Sequence, residues 1–432
     1  MRTVLARLRA AQPSRWFYAG PRLSATLALG RLSGRLSRLT GRGAGGTVPG
    51  RVVSLLRPSA LKELCTERSV VLVSGTNGKS TTTAMIAAVL ARSSAVLNNA
   101  DGANLMSGLV STVMADADGH SLAVLEVDEV TVPAALDATS AGLIVLLNLS
   151  RDQLDRVGEV VSTARRWAAA LARSPGSHIV ANSDDPIVVS AIRSARPNEM
   201  RVTWVAAGGP WRADAPYCTS CGAAWPTDSL PWGCAECGLC APVPAWSLRG
   251  DALQGPDGLR ATLSLRLPGR ANVANALMAV ASASVLGVAP TESALIISEM
   301  REIDGRYLST DQAGRKALLL LAKNPAGWHE VLHDLIAVDP DLVVIVGLNN
   351  READGTDPSW IWDVAFELLQ GRSVVVYGEC ALDLAVRLHY AEVPHQLASD
   401  LQDALRITQG SPVVVAANYT AFVVARRLLR GA

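Results

Sequence analysis

The sequence predicts an α/β protein with two successive sheet domains, and three observations carry that prediction. Short β-branched runs alternate with helix-forming stretches from Val70 to the C-terminus, as parallel strands buried on both faces require. One such run opens VVLVSGTNGKSTTT (Val70 to Thr83), which reads as strand, glycine-punctuated turn and helix start. A cysteine-rich stretch, about 214–245, breaks the rhythm once before it resumes. With 49% apolar residues in a chain of 432, there is material for more than one core. No apolar run approaches the roughly 18 residues that span a bilayer, and a formal net charge of +1 argues against general affinity for nucleic acid.

The charge is unevenly spread. Residues 1–62 hold eleven arginines and Lys62, with no acidic residue before Glu63. From Pro21 to Thr40, Leu23, Leu27, Leu29, Leu32, Leu36 and Leu39 interleave with Arg31, Arg35 and Arg38, a partly amphipathic basic helix. Such a helix rests against anionic lipid or phosphate, or docks on its own protein; an Arg-rich organelle-targeting leader is a further reading, and a secretory apolar segment is lacking.

The Val70 run ends in a phosphate cradle. Glycines at 75 and 78 let the backbone N–H groups from Gly75 through Thr76 and Asn77 to Gly78 turn onto phosphate oxygens, beside the positive end of the next helix. Lys79 reaches the terminal phosphates, and the hydroxyl of Ser80 or Thr81 is placed for Mg²⁺. The first glycine comes two residues later than in the common nucleotide loop, so a plain Gly-rich turn is the competing reading. After a strand and the polar turn NNADGAN, Leu122 to Val127 ends in Glu126, Asp128 and Glu129; Glu126 is the expected Mg²⁺ ligand, a solvated acidic turn the alternative. Leu143 to Leu147 leads into Asn148 and the charged loop SRDQLDRVGE, then NSDDP.

The interruption carries Cys218, Cys221, Cys234 and Cys237 as two C-x-x-C pairs, with Cys240 beyond. Four thiolates at this spacing suit a structural zinc ribbon with no open coordination position; a shifted pairing in which Cys240 replaces Cys237 is the alternative. Ala261 to Leu267 then leads to a helix opening near Asn272, where Asn272 and Asn275 are candidates to bracket a purine edge and Asn272 alternatively caps. Arg306, in the turn IDGRY, is placed to reach phosphate from an interdomain linker. The second domain has strands near 317–321, 341–346, 373–377 and 412–416, and its strand-end loops offer Lys323, Asn324, Asp354, Asp357 and Tyr419. Trp360 and Trp362 read as core or interface residues.

SGTNGKSTT, EVDE, NLSRDQLDRVGE, GRANVANAL and the Arg306 linker resemble the ATPase core of the Mur ligase family. With LLLLAKNPAGWHEVL, LNNREADGTDPSWIWD and NYTAF around the cysteine-rich insertion, the chain is similar to the MurT family, synthetase subunits of lipid II isoglutaminyl synthase. The resemblance runs from about residue 50 to the C-terminus; Ser80 stands where threonine is common, and the first 20 or so residues are extra. It implies a Mur-ligase-type P-loop ATPase domain over 49–303 with an inserted four-cysteine zinc ribbon, a basic segment over 1–48, and a C-terminal Rossmann-like α/β domain over 304–432. It further implies ATP-dependent amidation of the D-glutamate α-carboxyl of the lipid II stem peptide through an acyl phosphate. ATP, Mg²⁺ and structural Zn²⁺ are the implied cofactors. Ammonia would come from a GatD-like class I glutaminase, whose triad an aspartate at Asp357 completes, Asp354 being the neighbouring alternative. A cytoplasmic protein is expected because ATP is there, and the lipid substrate would place it peripherally at the inner membrane face. Lys79→Ala is expected to abolish amidation and leave the fold intact. Amino-acid-adding ligases of the Mur or folylpolyglutamate type, and a noncatalytic nucleotide- or zinc-binding scaffold, are the alternatives.

Overall fold

The computed structural model describes residues 21–39, 47–99, 103–116, 119–152, 160–195, 201–208, 214–224, 231–250, 252–266, 269–300, 307–312, 315–336 and 342–430. The chain forms two compact units. The first comprises Met1–Leu149, Val161–Arg266 and Asn272–Met300; the second comprises Ser150–Val160, Leu267–Ala271 and Arg301–Ala432.

In the first unit, helices α1 (Pro21–Leu39), α2 (Val48–Leu56) and α3 (Ala60–Cys65) precede the sheet. α1 packs on α2 through Leu23, Leu27, Gly30 and Gly34, all buried. A Cβ on Gly30 would lie 2.5 Å from Val53 Cγ2, so the small residue sets how closely the two helices approach. The docked reading of the basic helix therefore holds for its inner face.

The sheet follows as β1 (Ser69–Ser74), α4 (Lys79–Leu90), β2 (Val96–Asn98), α5 (Met106–Ala115), β3 (Leu122–Val127), α6 (Val132–Thr139), β4 (Leu143–Leu146), α7 (Val160–Ala172), β5 (His178–Asn182), α8 (Pro186–Ser194) and β6 (Arg201–Ala206). After the cysteine-rich excursion come β7 (Trp246–Arg249), β8 (Ala252–Gln254), β9 (Arg260–Thr262), α9 (Arg270–Val285) and α10 (Pro290–Ser298). The strand order is β2-β3-β1-β4-β5-β6-β7-β8-β9, parallel as far as β7 and antiparallel beyond it. That order sets the C-terminal ends of β3, β1 and β4 side by side, where open parallel sheets bind ligands. Apart from half-buried Ser69, their side chains are buried on both faces, as their largely apolar sequences require, with Glu126 the one charged residue among them.

Two expectations are corrected here. The strand expected over 261–267 is confined to Arg260–Thr262, pairing only with β8. Helix α9 opens at Arg270, whose backbone N–H donates to Asp334 Oδ1 at 3.2 Å, so Asn272 lies inside the first turn and is not the cap.

The second unit contains β10 (Tyr307–Gln312), β11 (Arg315–Leu321), α11 (Pro325–Ile336), β12 (Val343–Gly347), β13 (Val374–Tyr377), α12 (Ala381–Tyr390), β14 (His395–Leu397), α13 (Leu401–Ile407), β15 (Val413–Ala417) and α14 (Tyr419–Leu429). Its order is β10-β11-β15-β12-β13-β14, antiparallel only between β10 and β11. Two cores cover the sheet faces, one around Trp328, Phe366 and Leu388, the other around Ile345, Val415 and Phe422. Trp360 packs against the first core as expected, whereas Trp362 is exposed, its ring edge-on to Tyr390 at 5.5 Å.

Candidate active site

β1 delivers the chain into the glycine turn, and both glycines are required. Gly75 has φ 147° and a Cβ there would sit 2.8 Å from Leu147 Cβ; Gly78 has φ 85° and its Cβ would meet Asn275 Oδ1 at 2.3 Å. The turn is braced by Asn148 at the end of β4. The Thr76 N–H donates to Asn148 O at 2.9 Å and the Asn77 N–H to Asn148 Oδ1 at 2.8 Å, while Asn148 Nδ2 donates to Asn77 O at 3.0 Å. Asn148 was not among the expected site residues; its signal was its place directly after a buried strand. α4 then starts at Lys79, where first-turn N–H groups have no partner within the helix.

Lys79 is 3% exposed. Its Nζ donates to Thr76 O at 3.2 Å and to Glu129 Oε2 at 2.9 Å. Burial acts to lower the Lys79 pKa, but Glu129, then Glu126 and Asp128, outweigh it, so the ammonium is held above its ordinary range. The fields of three carboxylates thus act on one buried cation near the end of β3, with Glu129 in direct contact. Glu126 is itself buried: its Oε1 accepts from Asn104 Nδ2 at 2.9 Å, and its backbone is clasped by Asn99, which accepts from Glu126 N–H at 2.8 Å and donates to Glu126 O at 2.8 Å. The flanks of the polar turn are therefore supports for Glu126; residues 100–102 of that turn lie outside the described residues. Glu129, whose backbone carbonyl accepts from Trp167 Nε1 at 2.8 Å, is the carboxylate that meets Lys79. Sequence spacing gathered it with Glu126 but gave no reason to prefer it.

Thr81 is buried and Ser80 half-buried on the first turn of α4. Asn275 closes this side of the loop, its Oδ1 accepting from Thr82 Oγ1 at 3.4 Å beside Gly78. Asn272 stands one turn earlier on α9, half-buried. Arg306 lies outside the described residues. A loop whose glycines leave no room for a Cβ, followed by a helix start, a buried lysine and oxygen donors from Ser80, Glu126 and Glu129, fits a nucleotide phosphate with a hard divalent cation.

Between β6 and β7 the ligand atoms of Cys218, Cys221, Cys234 and Cys237 all lie within 4.8 Å of one another, Cys218 Sγ being 3.5 Å from Cys237 Sγ and Cys221 Sγ 3.6 Å from Cys234 Sγ. Each C-x-x-C forms the same tight knuckle, with Gly222 N–H donating to Cys218 O and Gly238 N–H to Cys234 O, both glycines at positive φ. Four soft donors in one cluster fit tetrahedral zinc. Cys240 is not in the cluster; it pairs with Gly233 in a β-bridge, so the shifted pairing is not the one formed. Trp232, fully buried, anchors the ribbon by donating from Nε1 to Ser183 O at 3.0 Å.

In the second unit, a cavity of about 140 Å³ is lined by Arg151, Asp152, Lys323, Asn324, Asp354 and Asp357 among others. Lys323 pairs with Asp152, and Arg151 with Asp363 at 2.9 Å. The two aspartates of the following loop differ sharply. Asp354 is buried and accepts from the Thr420 N–H at 2.8 Å and Thr420 Oγ1 at 2.5 Å, at the start of α14. Asp357 is exposed and oriented by Ser359, whose N–H and Oγ each donate to it at 2.9 Å. Asn324 is turned to a local role, accepting from the Gly327 N–H at 2.8 Å, and Tyr419 is exposed on the first turn of α14. Cys65 and Cys380 are both buried, and burial pushes the Cys65 thiol up to about 11, unlike an activated nucleophile.

Comparison with known proteins shows what the chain is similar to. Residues 73–239 match the Mur ligase middle domain, and residues 321–422 the MurT ligase C-terminal domain. Lipid II isoglutaminyl synthase (glutamine-hydrolyzing) subunit MurT of Streptococcus pneumoniae is 28% identical over 93% of this chain and 96% of its own; the Staphylococcus aureus (strain N315) protein of the same name is 28% identical over 84% and 87%. UDP-N-acetylmuramate–L-alanine ligase of Thermobifida fusca is 28% identical over 55% of this chain and 44% of its own. Among solved structures, MurF from Acinetobacter baumannii superposes with a TM-score of 0.66 over 88% of this chain and 80% of that one, at 16% identity, a likeness of fold. Two domain matches in one order, together with relatives aligned over most of both chains, make this chain similar to the MurT proteins and, over its middle part, to the Mur ligases.

Proposed function

We propose that the protein is the ATP-dependent synthetase of lipid II amidation, converting the α-carboxyl of D-glutamate in the stem peptide to the amide of D-isoglutamine in peptidoglycan synthesis. The observation that carries this reading is a phosphate loop in which Lys79 meets Glu129 beside Glu126, in a chain whose C-terminal part is of MurT type. ATP supplies the γ-phosphoryl group that turns a carboxylate into an acyl phosphate, which ammonia then opens. The helix-start N–H groups of α4 and Lys79 are the groups to hold the phosphates, since the N–H groups of Thr76 and Asn77 are engaged by Asn148. Lys79 would exchange Glu129 for phosphate oxygens, freeing that carboxylate to join Glu126 and Ser80 around Mg²⁺. Asn275 and Asn272 line the nucleotide side, and Arg306 would complete the charge from the linker. Zinc held by Cys218, Cys221, Cys234 and Cys237 would staple the ribbon and take no part in the chemistry.

Ammonia is assigned to a GatD-like class I glutaminase in a heterodimer. Asp357, exposed and aimed by Ser359, suits the triad-completing carboxylate; Asp354 is committed to Thr420. On α12, Leu382, Val386 and Tyr390 are exposed at successive turns beside Trp362, an apolar patch in the same unit suited to a protein partner. Among the described residues no helix is long and apolar enough to cross a membrane; the need for ATP puts the meeting with the lipid-linked substrate at the cytoplasmic surface.

The test is amidation of lipid II by the chain and its glutaminase partner with ATP and glutamine, read by mass spectrometry of the stem peptide. Glutamine-dependent amide formation is expected, with free ammonium replacing glutamine when the chain acts alone. Absence of amide under both conditions, with ATP bound, would overturn this reading in favour of an amino-acid-adding ligase.

A further inference from the structure

We propose that the outward face of α1 is a membrane-docking surface for an anionic phospholipid bilayer. The inference rests on α1 and not on the amidation reading. A helix lying on a protein ordinarily has one apolar stripe, facing inward. α1 has two. Leu23, Leu27, Gly30 and Gly34 face α2, while Leu29, Leu32, Leu36 and Leu39, spaced three or four residues apart on the other side, are 52%, 52%, 54% and 83% exposed. Ala25 and Ala28 are exposed among them, so the outer stripe is continuous over the helix. Four leucines aligned in water need an occupant.

Charge selects which one. Arg22 borders the stripe on one side and Arg35 on the other, both exposed, with Arg31 beyond Arg35 and donating to Met114 O at 3.3 Å, and α1 contains no acidic residue. Apolar side chains flanked by guanidinium groups match acyl chains below a layer of lipid phosphates, with the helix lying in the plane of the interface. A second copy of this chain seated on the stripe by two-fold symmetry would bring the same arginines against one another. The Arg-rich segment 1–20 would meet the same repulsion. A nucleic acid would use the arginines and leave the leucines wet. With 19 residues interrupted by arginines, α1 is no bilayer span.

The full chain would be pelleted with large unilamellar vesicles of phosphatidylcholine, with and without phosphatidylglycerol, at low and high salt. We expect binding at least about tenfold tighter to the anionic vesicles, since each arginine near such a surface contributes a factor of about five, and weakening by salt. Leu32→Gln with Leu36→Gln should reduce binding at least about tenfold at an unchanged thermal midpoint, because both positions are exposed. Arg22→Glu with Arg35→Glu should remove the preference for phosphatidylglycerol. A fluorophore on Leu36→Cys should shift to the blue on adding anionic vesicles, a readout that does not depend on the leucine variants folding. The proposal is overturned if the folded chain stays in the supernatant with anionic vesicles, if the leucine variant pellets like the parent, or if the fluorophore does not shift. Concentration-dependent dimerisation abolished by the leucine substitutions, without vesicle binding, would overturn it in favour of a second copy.

Discussion

Replacing Gly78 by alanine tests the phosphate loop with one methyl group. Two costs are visible. The backbone at φ 85° is one an alanine adopts only at about 1–2 kcal/mol. The new Cβ would also stand 2.3 Å from Asn275 Oδ1, inside any permitted contact, so the Asn275 amide must swing away and give up Thr82 Oγ1. If the loop keeps its shape, stability falls by about 1–3 kcal/mol; if it relaxes to negative φ, the N–H groups at the start of α4 turn off the phosphate and nucleotide affinity falls about tenfold or more. Titration with a fluorescent ATP analogue, alongside a thermal melt, separates these outcomes. Asn275→Ala in the same chain removes the collision but not the dihedral cost, so the double variant should recover part of the loss and no more. Unchanged melting and unchanged affinity in Gly78→Ala would refute the geometry of the loop, and full recovery in the double variant would refute the dihedral argument.

Other substitutions bear on the remaining parts. Lys79→Ala should eliminate ATP-dependent turnover, but the intact fold first expected for it needs amending: it strands the Glu129 carboxylate in a buried site and should cost about 3 kcal/mol, whereas Lys79→Met with Glu129→Gln should be equally inactive and melt closer to the parent. Asp357→Asn should cut glutamine-dependent amidation by about 10³-fold or more and spare the ammonium-dependent reaction, while Asp354→Asn should chiefly lower stability through Thr420. Cys218→Ser should remove stoichiometric zinc, measured by elemental analysis, with Cys240→Ser retaining it. His329, whose pKa is lowered to about 4 by burial and then by His333 and Arg270, is held neutral in the folded state, so its contribution is complete above pH 6.5 and is lost as pH falls toward 4. Its partial exposure limits this to at most about 2 kcal/mol, and denaturant midpoints of His329→Gln should show a flatter pH dependence over that window.

The strands β1, β3, β4, β12, β13 and β15 were legible because burial on both faces makes them short runs of almost wholly apolar residues, Glu126 at the end of β3 being the charged one. The cradle and the four thiolates were legible because their chemistry fixes residue type and spacing over short distances. What escaped were partners distant in sequence. Asn148 braces Asn77 across 71 positions, and Asn275 meets Thr82 across 193; an asparagine after a strand or in a helix carries no mark of such a role. Likewise Glu126, Asp128 and Glu129 are equivalent as letters, and only the path of the backbone after β3 turns Glu129 onto Lys79. The outer stripe of α1 was hidden for a different reason: the leucines of the two faces are interleaved, and sorting them takes knowledge of which side α2 occupies.

The ribbon has a consequence for solubility. β6 pairs with β7 only at Val205↔Trp246 and Ala206↔Ser247, across an excursion of residues 207–245. Cross-linking part of that excursion through a metal gains little by loop shortening alone, since halving an open loop is worth only about 0.6 kcal/mol. The larger effect is that the clamped knuckles hold Trp232 in its slot under Ser183 and so return the chain to the sheet. In a chain starved of zinc, β7 to β9 would lose that guide, and the backbone of Arg201–Ala206 would become an open parallel edge with unsatisfied N–H and C=O groups. With zinc on the four cysteines, as proposed above, metal supply during synthesis would decide between a finished sheet and one able to pair with its neighbours, and the yield of aggregate under chelation, more than any loss of turnover, is where the cysteines would make themselves felt.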